Sequence, residues 1–95
     1  MIKRYLMIVE GQVQGVGFRA FCMRIALQNG LTGSASNLDN GNVEILIQGE
    51  RSAINTFINR ILAGDRFIHI TDYHIKEVPV DPGLKDFTYG HGNYF

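Results

Sequence analysis

Two segments of this chain repeat one apolar spacing, and the repetition narrows the possible folds more than any other feature. Phe18, Phe21, Cys22, Ile25 and Ala26 fall at i, i+3, i+4, i+7 and i+8, and so do Ile54, Phe57, Ile58, Ile61 and Leu62. At 3.6 residues per turn each set forms a single stripe along an otherwise polar helix. Neither helix can bury its stripe unaided, so both need an apolar surface built by the remaining residues.

Those residues read as strands. Tyr5-Leu6-Met7-Ile8-Val9 is a short, dense apolar run with the length and β-branched content of a largely buried strand. Val43, Ile45 and Ile47 alternate with Glu44 and Gln48, which buries one face of a second strand. Between them, residues 31–39 are small and polar, a modest strand on propensity, secured by the hairpin signal Asp39-Asn40-Gly41. Asn29-Gly30 closes the first helix as a left-handed stop; Ser52 is the expected N-cap of the second, and Gly64-Asp65 its end. Residues 67–80 are β-rich up to Pro79 and Pro82, and a short last strand fits residues 85–89.

The order is therefore β-α-β-β-α-β with room for a small fifth strand. It predicts an α+β, ferredoxin-like split βαβ sandwich, with two helices on one face of an antiparallel sheet. Ninety-five residues suffice for one core, so a single domain over residues 1–95 is expected, with residues 90–95 as a C-terminal tail. Many unrelated activities share that architecture, and it selects none of them.

Charge and cysteine content exclude several classes. Nine Lys and Arg balance nine Asp and Glu, which argues against a nucleic-acid module or polybasic membrane attachment. An RNA-binding sheet of this type would also carry aromatics on its central strands, and residues 42–48 have none and a net charge of minus one. Cys22 is the only cysteine, so no internal disulfide or cysteine-rich zinc site is expected. The first apolar run stops at Glu10, too short for a signal-peptide core, and no later stretch is long enough to cross a bilayer. A soluble cytoplasmic protein is the expectation.

The chemically informative stretch is Gly11-Gln12-Val13-Gln14-Gly15-Val16-Gly17-Phe18-Arg19. A glycine-rich turn entering a helix leaves backbone N–H groups unpaired at the positive end of the helix dipole, a ready cradle for an anion. Arg19 opens the helix, where its planar fork suits two oxygens of one phosphate. Taken alone, such a turn serves close packing equally well. Gly15-x-Gly17-x-x-Ala20 also matches the relaxed dinucleotide fingerprint, but that site needs a parallel sheet of βαβ units, and here the next strand enters a hairpin. No Gly-Lys-Ser/Thr occurs, so a Walker loop fails as well.

Gly11-x-Val13-Gln14-Gly15-Val16-Gly17-Phe18-Arg19, followed by Gly33-x-x-x-Asn37-x-x-x-Gly41-x-Val43-Glu44, resembles the acylphosphatase family over about residues 4–89. The resemblance implies hydrolysis of carboxyl phosphates to carboxylate and inorganic phosphate, with no metal and no cofactor. It implies that the backbone amides of Gln14, Gly15, Val16, Gly17, Phe18 and Arg19 cradle the phosphoryl oxygens, that the Arg19 guanidinium clamps them, and that Asn37 orients the attacking water. Without it, Asn37 reads as a polar residue at a strand end. The implied partners are a small acyl phosphate and inorganic phosphate, the latter as product and inhibitor, with no nucleic acid, no membrane and a monomeric chain. The alternative is a non-catalytic phosphate- or acyl-phosphate-binding or regulatory module that keeps the cradle.

Other residues have simpler readings. His69 and His74, five apart on one strand, point to opposite faces unless a bulge intervenes, and with His91 they are assigned to surface positions. Cys22 lies on an apolar stripe and reads as a buried, inert thiol. Asp39 and Glu44 bracket the hairpin and are explained by turn chemistry and a solvent-facing strand position. Ser34 and Ser36 stand where the family carries larger side chains, and their small size is expected to widen the ground beside the site.

Overall fold

A computed structural model describes residues 1–89. The elements are β1 (Ile2–Gln12), α1 (Phe18–Gln28), β2 (Thr32–Asn37), β3 (Val43–Glu50), α2 (Arg51–Ala63), β4 (His69–Val78) and β5 (Phe87–Tyr89). They form one sheet in the order β4-β1-β3-β2-β5 under two helices. The four longer strands pair antiparallel, and β5 joins β2 in parallel, so the sheet is mixed at one edge.

The core follows from the two periodicities. Met7 and Val9 of β1, Ala35 of β2, and Val43, Ile45 and Ile47 of β3 are buried on the helix-covered face, as alternation requires. Against them lie Phe18, Phe21, Cys22, Ile25 and Ala26 of α1 and Ile54, Phe57 and Ile61 of α2, while Ile58 is partly buried against the same cluster. Truncating one of the large members to alanine costs about 2–5 kcal/mol, so this layer holds the helices on the sheet.

The helix ends show where local signals held and where pairing overrode them. Asn29 and Gly30 do end α1: the Leu31 N–H reaches back to the Ala26 carbonyl at 2.9 Å and Asn29 Nδ2 donates to the Ile25 carbonyl at 2.9 Å. Ser52 does not cap α2. The ladder with β1 carries β3 through the pair Ile2–Glu50, so the chain passes from strand to helix with Glu50 at the N-cap position. There the Arg51 N–H is taken by the Met1 carbonyl at 3.2 Å, and Ser52 sits inside the first turn.

The open face of the sheet is fastened by Gln48, which exchanges two hydrogen bonds with the backbone of Asp81: Nε2 donates to its carbonyl at 2.9 Å and Oε1 accepts from its N–H at 2.8 Å. This clasp holds the connection that delivers β5 to the edge of β2. The last strand covers residues 87–89, shorter than the expected 85–89, and buries Phe87. The expected tail, residues 90–95, lies outside the described residues.

Candidate active site

The turn between β1 and α1, residues 13–17, is built to expose its backbone. Gly15 and Gly17 have φ of 75° and 79°, the left-handed region that side chains resist. A Cβ at either position would meet nothing within 4 Å, so the glycines serve backbone angle and leave open space in front of the turn. Val13 and Phe18 on either side are buried and anchor its two ends. Gly17 is the N-cap of α1, and no side chain caps it. The first-turn N–H groups of α1 thus face outward at the positive end of the helix.

Arg19 projects from that first turn into a cleft of about 200 Å³ lined by Val13, Gly15, Gly17, Phe18, Ala20 and Tyr89. The Tyr89 ring lies beside the guanidinium, with Arg19 Cζ 5.8 Å from its centroid. Fixed donors and one guanidinium in one recess can hold a tetrahedral anion without another cation.

Asn37 comes from a different element. It ends β2, opposite Val43, and shares the face of Gly33 and Ala35, every second residue of the strand, which is the sheet face that the helices cover. It does not line the cleft around Arg19, but its Oδ1 is buried and has no hydrogen-bond partner among the described residues. A buried amide oxygen without a donor is uncommon. The hairpin beyond it is a five-residue loop closed by the Leu38 N–H on the Asn42 carbonyl at 2.8 Å and the Gly41 N–H on the Leu38 carbonyl at 3.1 Å.

Gln14 ties the two pieces together. Its side-chain Nε2 donates to the carbonyls of Leu38 and Asn42, both at 2.8 Å, so the anion turn is stapled to the hairpin that carries Asn37. Sequence reasoning assigned Gln14 through its backbone amide alone and missed this brace. A long polar side chain between two glycine-rich turns was the available signal, but its partner lies across the sheet.

Ser34 and Ser36 occupy alternate β2 positions to Gly33, Ala35 and Asn37, and so belong to the opposite face. Their small side chains therefore open no space beside Asn37. Cys22 is fully buried, and burial pushes its thiol far above the ordinary value, which keeps it protonated and unreactive.

The histidines meet the exception that strand alternation allows. A register shift between Glu10 and Gly11 inserts a bulge, so β4 sets His69, Asp72 and His74 opposite Gln12, Glu10 and Ile8, alternate residues of β1. His69 and His74 thus share a face. His74 Nε2 stands 3.6 Å from Glu10 Oε2 and 3.9 Å from Asp72 Oδ2. These three could offer ligands to a metal ion, but they are largely exposed and do not line the Arg19 cleft. His91 lies outside the described residues.

Comparison with known proteins gives matches over nearly the whole chain. The family model described as Acylphosphatase matches residues 5–89. An acylphosphatase of Geobacillus thermodenitrificans is 44% identical over 91 residues, covering 96% of this chain and 97% of its own. The crystal structure of acylphosphatase from Bacillus subtilis superposes with a TM-score of 0.88 at 36% identity, covering 96% of this chain and all of that one. Full-length HypF, crystallised in a phosphate- and nucleotide-bound form, matches with a TM-score of 0.84 at 31% identity, over 97% of this chain but only 12% of HypF.

Proposed function

This chain belongs to the acylphosphatase family and hydrolyses acyl phosphates, and from that premise we propose that the turn from Gln14 to Arg19 binds the phosphoryl group while Asn37 orients the attacking water. The position of Asn37 at the end of β2, on the hairpin held beside the glycine-rich turn, carries the reading. Two further features support it: the outward N–H groups of the left-handed turn, and the Gln14 staple that keeps turn and hairpin in register.

In this reading the amides of residues 14–19 and the Arg19 guanidinium neutralise the phosphoryl oxygens. Asn37 accepts one O–H of the water, which turns the oxygen lone pair toward phosphorus. A bond forms from water oxygen to phosphorus as the bond to the acyl oxygen breaks, and the carboxylate leaves with that electron pair. The proton of the water passes to a phosphoryl oxygen of the substrate, so no protein base is required, and Asn37 is not one. Carboxylate is a good leaving group, and positioning with charge neutralisation is enough for the rate. No metal or cofactor enters the scheme. The reading extends to one domain over residues 1–95, acting as a cytoplasmic monomer inhibited by its own product.

Benzoyl phosphate tests it directly. Loss of its ultraviolet absorbance should proceed at the same rate with and without EDTA, and inorganic phosphate should inhibit competitively. Activity that disappears on chelation would overturn the metal-free scheme. A chain that binds phosphate but turns nothing over would instead be a binding module.

A further inference from the structure

Tyr89 closes β5 and stands opposite Ala35 in the parallel ladder with β2. Phe87, two residues earlier, is buried and fixes the strand, whereas Tyr89 remains 44% exposed. The core therefore gains little from this ring. Its contact is with the site: Arg19 Cζ lies 5.8 Å from the ring centroid, and ring and guanidinium line one cleft. Two other arginines meet rings, Arg24 with Phe21 and Arg66 with Phe67, but these are sequence neighbours that meet by local geometry. Arg19 and Tyr89 come from opposite ends of the described chain and are brought together only by the packing of β5 against α1.

A guanidinium has two kinds of surface. Its N–H edge donates to phosphoryl oxygens, and its flat face is attracted to an aromatic ring. One arginine can use both at once, because a ring attracted to the face does not compete with an anion for the edge. We propose that Tyr89 is a positioning residue for phosphoryl binding, holding the Arg19 guanidinium over the turn through its ring. This rests on the reading that Arg19 clamps the phosphoryl group. The side chain of arginine has large rotamer freedom, and a ring that restricts it beforehand removes part of the cost of binding.

The test compares Tyr89→Phe, which keeps the ring, with Tyr89→Leu, which keeps an apolar cover without one, and with Tyr89→Ile as a strand-favouring second apolar variant. KM for benzoyl phosphate and the inhibition constant of inorganic phosphate are measured with kcat, and thermal melting checks folding. Both apolar variants should raise KM and the inhibition constant together by about 2- to 5-fold, with a smaller change in kcat, and Tyr89→Phe should match the parent. Apolar variants that bind phosphate like the parent would overturn the proposal, and so would a Tyr89→Phe variant as weak as Tyr89→Leu. The same weakening by Tyr89→Leu in an Arg19→Ala background would also overturn it, since the ring would then act independently of Arg19. Failure of the underlying reading looks different: Arg19→Ala by itself would leave phosphate inhibition intact.

Discussion

The turn that feeds α1 and the outer edge of the β1–β4 pair stand at opposite extremes of chemical endowment. The edge holds Glu10, Asp72 and His74 within ion-pair range, the residue types usually sought in a hydrolase. The turn holds two left-handed glycines and one arginine, with a neutral asparagine on the neighbouring hairpin. Yet the edge groups are exposed on a strand, where water screens them and their geometry is loosely held. The turn is anchored by buried Val13 and Phe18 and stapled by Gln14, so its N–H groups are held in one orientation. Fixed dipoles act without reorganising, and in the proposed site that outweighs a larger number of titratable groups free to move.

Substitution can break that contrast, and Arg19→Lys should do so most severely. A lysine retains the charge but not the planar fork, and kcat/KM for benzoyl phosphate should fall by about 10²- to 10³-fold. A rate within threefold of the parent would mean that charge alone is enough at this position. Asn37→Ala comes next, with a loss of about 10²-fold in kcat and little change in inhibition by inorganic phosphate. That split separates water orientation from phosphoryl binding, and a matching loss of phosphate affinity would reassign Asn37 to the cradle. The smallest effect belongs to the rich edge. His74→Ala should leave kcat/KM within about twofold and shift unfolding by less than about 1 kcal/mol, because an exposed pair contributes little. A collapse of activity there would show that the two regions are coupled.

Much of this molecule was legible before folding, and the parts that were not share a cause. The stripes of α1 and α2 and the alternation of β3 were readable because each records one element meeting one surface with a fixed period. The Gly15–Arg19 turn was readable because left-handed backbone demands glycine locally. Ser52 misled because capping chemistry is a local preference, and α2 starts at Arg51, directly where the Ile2–Glu50 pair ends the strand. The faces of the histidines were left open because one inserted residue in a ladder reverses the alternation of all that follow, and no local signal places that residue.

Residue order alone settled which faces are apolar, where the backbone must turn left-handed, and which side chains are available to meet a phosphate. Folding decided who meets whom: Gln14 with the carbonyls of Leu38 and Asn42, Tyr89 with Arg19, and Asn37 with no donor for its buried oxygen among the described residues. Periodicity and backbone preference act within a few residues and leave a trace in the chain. A contact between β5 and α1 depends on the path of everything between them, and no short stretch of sequence records that path.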